Sequence, residues 1–491
     1  MGCTVVLDTS GSPDVGFAGV GVHNRWAGPT ARYTWTKDLA TRCSPPVPRK
    51  AGMSSTESIV DPHHGTLRSP RFWVGPIVVV TALMAALAYL YLGSMISPAD
   101  HLRKFPMAIV NQDVGDVMPG SDARRNLGEE ITAGILDGID PERIDMQPMG
   151  ISAMNSGLDN GTLYGAIVIP SDFTKRTSIL AQASVVPGDI EKPIITVYTN
   201  PRTGTFGTNI TQTIADQAMT TVNTTIGEQL TRTVEDTLAT SAPDLQLSGG
   251  SRITLADPIN VLTVPHKPLP DNTGAGLSAF YYTLLLILAG FTGGMIVNAM
   301  VDQSLGFQPA EYGPRFIARE TTHLSRMRVL LVKWGIMFVV AMIVSALYLG
   351  IGTALGMPFP RALLMWEYGT LAITAVGVTA LAVVSIFGQA GLLVNLLLFV
   401  VLGLPSSGGT VPLEAMPPLF EWLSTFEPMH QMYIATRAIL YFDGRGAAGL
   451  THGVWMTLLG LAIGLVLGAV ITMIYDKRGF HRRPDAAPLP Q

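Results

Sequence analysis

Charge is scarce in this chain of 491 residues. Aspartate, glutamate, lysine and arginine make up 14% of the residues, against about 25% in soluble globular domains, and mean hydropathy is +0.35. A formal net charge of -4 provides no basic surplus of the kind that binds nucleic acid, so we expect no nucleic-acid partner. The composition favours a membrane protein.

Cysteine is also scarce, and chemistry-bearing patterns are missing. Cys3 and Cys43 both lie in the first 50 residues, so from Ser44 onward neither a disulfide framework nor a cysteine metal site can form. The histidines show no ligand spacing, and no catalytic triad or carboxylate pair can be read from the spacing. No lysine follows a glycine, which excludes a GxxxxGK[ST] phosphate loop. We expect no metal, no cofactor and no enzymatic activity.

Long apolar stretches are what the chain does contain. A helix needs about 20 apolar residues to cross the hydrocarbon of a membrane. Four stretches are long enough for one crossing each: 72–96, 277–300, 330–356 and 451–474. Residues 368–404 are too long for one crossing, and Gly388-Gln389 predicts a hairpin of two short spans. The sequence thus predicts an α-helical polytopic membrane protein with six transmembrane helices.

Basic residues in the short connections predict the orientation. Arginines lie between the second and third spans and before the first span, and lysine and arginine follow the last span. Because short cytoplasmic loops are rich in lysine and arginine, we expect a cell-membrane protein with both termini cytoplasmic. Residues 97–276 then form an extracytoplasmic domain, residues 277–475 a five-helix membrane domain, and residues 476–491 a cytoplasmic tail.

The N-terminal residues 1–71 are predicted to be a disordered cytoplasmic tail. Residues 1–52 mix glycine, proline, tryptophan and arginine without a helix or strand period, and Met53 opens a new segment. Either Met53 is the true start, or residues 1–52 belong to the tail.

The large insert reads as an α/β domain. Apolar runs at 105–110 and 164–170 and the segment KPIITVYTN predict strands, and apolar positions at Leu127, Ile131 and Ile135 predict a helix between them. From Ile210 to Leu238 an apolar residue recurs every fourth position, which predicts one amphipathic helix of about 30 residues. This helix packs either against its own domain or against a partner subunit.

Four local motifs add to this layout. They are residues 107–113 (MAIVNQD), 163–173 (LYGAIVIPSDF), 276–290 (GLSAFYYTLLLILAG) and 406–418 (SSGGTVPLEAMPP). With one span, a large external domain and five further spans, they make residues 70–480 resemble permeases of the type-2 ABC exporter superfamily. The motifs are most similar to its phage-infection-protein and nitrosoguanidine-resistance branches, which contain a domain of unknown function.

The resemblance implies a membrane protein for export or for service as a surface receptor. It also implies that residues 405–441 fold as short helices re-entering between the fifth and sixth spans. As an ABC permease the chain would need a separate nucleotide-binding ATPase subunit. The loop 301–328 would be its docking surface, with Glu311, Arg315 and Arg319 as candidate contacts, although positive-inside topology alone also explains these arginines.

The predicted span interiors contain only mildly polar residues. Lys333 and Glu367 are expected near span ends, where a long side chain reaches water, and the lack of buried ionisable residues argues against a proton-coupled transporter. Asn298, Gln389 and Asn395 are the candidates for a substrate path, with helix–helix hydrogen bonding as the alternative role.

Small residues on two spans predict close helix packing. Gly460, Gly464 and Gly468 form one face of the last span, and the pairs Ala289/Gly293 and Gly290/Gly294 do something similar on the second span. Such faces let backbones approach. The packing is either within the chain or across a homo- or heterodimer.

The sequence favours a lipid-embedded permease-like protein that exports an amphiphilic or toxic compound. The alternative is a non-transporting receptor, or an accessory or regulatory membrane protein, that binds a partner through its external domain.

Overall fold

The computed structural model of the protein describes residues 70–117, 124–184, 191–241 and 247–480. The predicted N-terminal tail up to residue 69, the choice between Met1 and Met53, and residues 481–491 lie outside the described residues. All the contacts below belong to one compact unit, Trp73–Gln491.

The described chain begins with a long apolar helix, α1 (Pro70–Met95). Only 6% of its most apolar stretch is buried, so the helix lies at the periphery of the protein. One face contacts the rest of the chain through Leu83, Leu87 and Tyr91, and the Tyr91 hydroxyl donates to the Val400 carbonyl at 3.1 Å.

An α/β domain follows α1, as predicted. Its strands are β1 (Phe105–Asn111), β2 (Asp116–Val117), β3 (Arg124–Arg125), β4 (Ile144–Pro148), β5 (Gly165–Ile169), β6 (Ile194–Thr199) and β7 (Asn260–Pro265). Its helices are α2 (Leu127–Gly138), α3 (Ile151–Asp159), α4 (Phe173–Ala183), α5 (Thr205–Ser241) and α6 (Gly249–Ala256).

Five of these strands form one mixed sheet in the order β4-β1-β5-β6-β7. Strand β1 is parallel to β4 and β5, β5 is antiparallel to β6, and β6 is parallel to β7. The two central strands, β1 and β5, are apolar and buried, as expected for strands covered on both faces.

The long helix α5 has 37 residues and is longer than predicted. Its recurring apolar residues are buried against its own domain: Ile210, Ile214, Val222, Ile226, Leu230 and Val234. Of the two alternatives for this helix, packing within the domain is the one observed.

A helical domain begins at Leu277. Its helices are α7 (Leu277–Ser304), α8 (Arg326–Ala354), α9 (Ala362–Phe387), α10 (Ala390–Leu396), α11 (Gly403–Ser406), α12 (Pro418–Ser424), α13 (Pro428–Tyr441) and α14 (Leu450–Lys477). Residues 397–401 form a π-helical stretch between α10 and α11. A hairpin of β8 (Ala310–Tyr312) and β9 (Arg315–Ile317) connects α7 to α8.

Five helices of the described chain are long and apolar enough to cross a membrane: α1, α7, α8, α9 and α14. This finding fits a membrane protein. Helix α9 is the central one, because 67% of its most apolar stretch is buried and it packs against α7, α8 and α14.

The fifth predicted span, which is the second half of the hairpin, differs from the other five. The chain turns at Gly388, whose φ is 59°, where the sequence predicts the hairpin. The returning segment Ala390–Ser406 is a shorter apolar helix, and the π-helical stretch interrupts it. Six spans therefore remain a prediction, and five candidate spans are observed among the described residues.

The two ends of the helical domain are distinguished by their neighbours. The α/β-domain side carries the start of α7 and the end of α13, which are joined where the Tyr441 hydroxyl donates to the Gly276 carbonyl. We call the opposite end the distal end. There Asp476 of α14 accepts the backbone N–H groups of Arg326 and Met327, and the Tyr475 hydroxyl donates to the Ile386 carbonyl of α9.

Candidate functional site

A buried ion pair lies near the distal end of the helical domain. The Lys333 Nζ atom of α8 donates to Asp302 Oδ1 at 2.6 Å and to Asn298 Oδ1 at 2.7 Å, both on α7. The side chains of Lys333 and Asp302 are 1% and 4% exposed. Two opposite charges are therefore held together in an apolar setting where an unpaired charge would be costly.

The expectation that Lys333 reaches water from a span end is wrong, and so is the expected lack of buried ionisable residues. Helix α7 continues four residues beyond the predicted limit of 300, which brings Asp302 into the helix. Helix α8 begins at Arg326 rather than at residue 330, so Lys333 lies about two turns inside. Glu367, in contrast, is exposed.

A cavity of about 600 Å³ opens beside this ion pair at the distal end. Asn298 and Asp302 line it on one side, and the α9–α10 turn lines it on the other. The remaining lining is contributed by Phe307, Gln308, Arg326, Leu392, Tyr475 and Phe480. We call this space the distal cavity. It combines a carboxylate and amide groups with aromatic rings.

Two of the three substrate-path candidates meet at the distal cavity. Asn298 lines it from α7, and Gln389 lines it from the exposed α9–α10 turn together with Ser385. Asn395 lies elsewhere: it is fully buried and its Nδ2 atom donates to the Ala380 carbonyl at 3.0 Å. Asn395 joins α10 to α9, which matches the alternative role of helix–helix hydrogen bonding.

The three docking candidates lie together on the hairpin between α7 and α8. Glu311 belongs to β8 and Arg315 to β9, and Arg319 follows β9. All three are exposed. This hairpin was not predicted, and it turns at Gly313, where φ is 56°.

Arg326 connects the hairpin to the wall of the distal cavity. Its Nε atom donates to the Phe480 carbonyl at 2.8 Å, and its guanidinium lies 5.5 Å from the centre of the Tyr475 ring. The guanidinium is thus held by a backbone acceptor and an aromatic face. The start of α8 and the end of α14 are therefore fixed to each other at this point.

A second and larger cavity lies on the α/β domain. It has a volume of about 940 Å³ and separates α2 from α5. Buried isoleucines form its floor, namely Ile131 and Ile135 of α2 and Ile210, Ile214 and Ile226 of α5. We call this space the α2–α5 groove.

Two glycines of α2 keep the groove open. Gly134 and Gly138 line it, and a Cβ atom built on either residue would meet nothing within 4 Å. Glycine inside a helix costs about 0.5–1 kcal/mol relative to alanine. Gly134 lies in the helix interior and avoids no clash. The glycine there leaves space in the groove free.

The α/β domain is fixed to residues 405–441 by a set of polar contacts. The Tyr164 hydroxyl donates to Glu414 Oε2 at 2.9 Å, and the Tyr164 ring stacks on Phe105. Arg103 donates from its backbone N–H to the Glu414 carbonyl and from its side chain to the Met416 carbonyl. As the resemblance implies, residues 405–441 contain short helices. Helices α11 and α13 are largely buried, whereas α12 is partly exposed at Leu419 and Trp422.

Asp159 forms a second link between the two domains. Its carboxylate accepts hydrogen bonds from His266 and Lys267 of its own domain and pairs with Arg445 of the helical domain at 3.1 Å. Burial alone would raise the pKa of Asp159, but the bonds from Lys267, His266 and Arg445 outweigh burial and hold the pKa well below its usual range.

The glycine face of the last span packs mostly within the chain. A Cβ atom on Gly464 would lie 2.5 Å from the Thr379 side chain of α9, and one on Gly468 would lie 2.8 Å from Trp334 of α8. Only Gly460 of this face would meet nothing within 4 Å. Of the two alternatives for this face, packing within the chain is observed at two of its three glycines.

Sequence reasoning missed three features: the Lys333–Asp302 pair, the α2–α5 groove and the Asp159 link. The ion pair had a signal, since an aspartate and a lysine each lay within a few residues of a predicted span limit. The other two had none, because they join segments far apart in the chain. Within the described ranges, no group of three or more His, Cys, Asp or Glu residues is placed to hold a metal ion.

Comparison with known proteins gives a family and no further relative. Neither the curated proteins nor the solved structures contain a match to the chain. A family model described as protein of unknown function (DUF3533) matches residues 76–464. This match extends from α1 through most of α14, which is more than half of the chain, and so the chain belongs to the DUF3533 family.

Proposed function

We propose that this protein is a permease-like membrane subunit that moves an amphiphilic compound from the distal side to the α/β-domain side. The distal cavity is the observation that carries this proposal. It places amide groups and a buried ion pair at one end of an otherwise apolar helix bundle. Ionisable residues inside membrane segments are costly, and they mark substrate or ion paths.

The distal side is cytoplasmic in this proposal, so that transport is export from the cell. Arg315 and Arg319 lie in the connection between α7 and α8, and Arg326 and Arg328 lie in the first turn of α8. Lys477 ends α14 at the same side, and Arg478 follows it. Cytoplasmic connections of membrane proteins carry an excess of lysine and arginine.

The near absence of cysteine makes sidedness testable. After Cys3 and Cys43 are replaced by serine, a single Thr224→Cys on α5 or Glu311→Cys on the hairpin reports its own side, since both positions are exposed. A membrane-impermeant maleimide added to intact cells should label Thr224→Cys alone. Labelling of Glu311→Cys alone would show the inverted arrangement and refute export in this direction.

Export itself is tested by filling the distal cavity. Ser385→Trp places a bulky side chain in the cavity, and Leu363→Trp is the matched control, because Leu363 is on the same helix and 67% exposed. The probes are N-phenyl-1-naphthylamine and dodecyltrimethylammonium. At equal protein levels, cells with Ser385→Trp should retain each probe as cells lacking the protein do, whereas Leu363→Trp should behave as wild type. Equal retention with and without the wild-type protein would refute the proposal for these amphiphiles.

ATP hydrolysis by a separate nucleotide-binding chain is the energy source in this proposal. The exposed hairpin with Glu311, Arg315 and Arg319 provides charges of both signs for docking such a chain. The buried Lys333–Asp302 pair, however, removes the sequence argument against proton coupling. Depleting ATP while the proton gradient is kept should stop efflux, and an uncoupler added at constant ATP should not. The reverse result would replace the ATPase by proton coupling.

A homo- or heterodimer is part of the proposal, because a bundle of five or six helices encloses little space alone. Gly460 is the open position on the last candidate span. In the cysteine-free background, Gly460→Cys and similar single cysteines along the exposed faces of α1 and α14 should crosslink two chains in native membranes. Monomer alone at every position would contradict the dimer.

A receptor or accessory role is the second candidate function, and the α2–α5 groove favours it. A binding protein that does not transport would depend on the α/β domain only. Its activity should be lost on changes in the groove and should be unaffected by Ser385→Trp, which separates this role from export.

A further inference from the structure

The α2–α5 groove begins at the place where α1 ends. Helix α1 ends at Met95, and Pro98, Ala99 and Leu102 line the groove. The Arg143 side chain donates to the Ala99 carbonyl at 2.8 Å, which fixes this end of the groove. If α1 spans the membrane, one mouth of the groove lies at the membrane surface.

The groove has the lining of a site for an alkyl chain. Its floor is isoleucine, as described above, and its rim on α5 is a stripe of amide and hydroxyl residues at every fourth position: Asn209, Thr213, Gln217, Thr221, Thr225 and Gln229. Thr213 and Thr221 donate their hydroxyls to carbonyls of their own helix, so these donors are already used. The α5 side of the groove is therefore apolar with an uncharged polar edge.

The charged residues of the lining restrict the head group. Glu130 and Asp140 contribute carboxylates and Arg143 the guanidinium, and Glu130 is also paired with Arg125 at 2.6 Å. With Arg125, which pairs with Glu130, the two carboxylates are balanced in number by two guanidinium groups. The lining therefore presents no excess charge to an ionic head, and an uncharged head is favoured.

We propose that the α2–α5 groove binds a single-chain amphiphile with an uncharged head, the alkyl chain lying between Ile135 and Ile214 and over Gly134. The volume of about 940 Å³ lies within the range of about 300–1,000 Å³ for small-molecule sites. This inference deepens the proposed function, since it names the class of the exported compound and the site that receives it.

The test uses the full-length protein in lipid nanodiscs, because detergents are themselves single-chain amphiphiles. The probe is a twelve-carbon monoacylglycerol with a photoactivatable diazirine in its chain, and adducts are located by peptide mass spectrometry. Wild-type protein should carry adducts on α2 and α5. Gly134→Leu should lower this labelling at least about tenfold, because its side chain occupies the path of the alkyl chain.

Gly249→Leu is the matched control. It introduces the same side chain at the start of α6, where a Cβ atom also meets nothing within 4 Å, and it should label as wild type. Gly134→Leu places a good helix former in open space, so its thermal unfolding temperature should not fall. A folded Gly134→Leu protein that labels as wild type, or adducts confined to the candidate spans, would overturn the proposal.

Two further arms identify the occupant. A diacyl probe with the same diazirine should label the groove at least about tenfold less than the monoacyl probe; equal labelling would assign the groove to a membrane lipid and refute the single-chain class. Formation of a disulfide between two copies of Thr221→Cys would assign it to a second chain and also refute the proposal. Since the readout is binding, a protein that binds without exporting refutes only the proposed function, and one that exports without binding refutes only this inference.

Discussion

Removing the charge of Lys333 tests the buried ion pair directly. In Lys333→Met the Asp302 carboxylate, 4% exposed, loses the ammonium that lies 2.6 Å away, and the Asn298 side-chain oxygen loses the same donor. Breaking a buried pair by removing one partner costs about 3–5 kcal/mol, whereas replacing both partners by apolar residues is often near neutral. We expect Lys333→Met to lower the free energy of unfolding by about 4 kcal/mol, and Lys333→Met with Asp302→Leu to lower it by about 1 kcal/mol or less.

The free energy of unfolding is measured by titrating purified protein in dodecylmaltoside with sodium dodecyl sulfate. Intrinsic tryptophan fluorescence is a suitable signal, because Trp334 is adjacent to Lys333 and buried. Lys477→Met is the matched control, since Lys477 is exposed at the end of α14, and it should change stability by about 0.5 kcal/mol or less.

A double-mutant cycle, which adds the single variant Asp302→Leu, tests whether the two charges depend on each other. If the two charges act as a unit, the double variant should be more stable than the sum of the single variants predicts, by about 3 kcal/mol or more. Additive losses would show that the charges do not depend on each other. A loss of less than about 1 kcal/mol in Lys333→Met would show that the other contacts of Asp302 suffice once Lys333 is removed, and it would refute the argument from burial.

Three further predictions concern the links between domains and the helix packing. Asp159→Asn should cost about 1–2 kcal/mol at pH 7, allowing for solvent at the exposed partners. Because the folded-state pKa of Asp159 is lowered, this stabilisation is present above the ordinary pKa of about 3.9 and is lost as pH falls toward the folded-state pKa, so the difference between wild type and variant in thermal unfolding should begin to shrink below about pH 4 and should go on shrinking as pH falls further. Tyr164→Phe removes one bond to Glu414 and keeps the ring, so it should lower stability by about 1 kcal/mol; no change would show that Glu414 is satisfied by other donors. Gly464→Leu should destabilise by about 2 kcal/mol or more, measured beside Gly460→Leu, which should be near neutral; equal effects would contradict the packing of this face.

Regular patterns of the sequence predicted most of the secondary structure. The apolar period of residues 210–238 corresponds to α5, and the long apolar stretches correspond to α1, α7, α8, α9 and α14. These predictions succeed because burial along one element depends only on its own residues. Strand β7 was not predicted, because its exposed edge position carries no clean alternation.

The candidate site was less predictable because it depends on contacts between elements. Asn298 was found by its polarity inside an apolar stretch, but its partner Lys333 was assigned to a span end. That assignment failed because the second span was predicted to end at residue 300, before Asp302, which left Lys333 without its partner. A helix continues past such a charge when the charge is paired inside the protein. The α2–α5 groove depends on the distance between two helices, which no local pattern specifies.

The four motifs that carry the resemblance meet at the junction of the two domains. Residues 107–113 and 163–173 contain the adjacent strands β1 and β5, and the Asp113 carboxylate accepts the N–H groups of Gly128 and Thr174, which starts α2 and α4. Residues 163–173 reach residues 406–418 through Tyr164 and Glu414. Residues 276–290 reach the same segment where Phe280 lies against Gly409.

These motifs therefore account for how the α/β domain is built and held on the helices. None of them contributes a residue to the distal cavity or to the α2–α5 groove. A shared architecture would preserve all four motifs whether the protein exports a compound or only binds one. The difference between transport and binding must therefore be sought at Asp302, Lys333 and Ser385 on one side, and at Gly134 on the other.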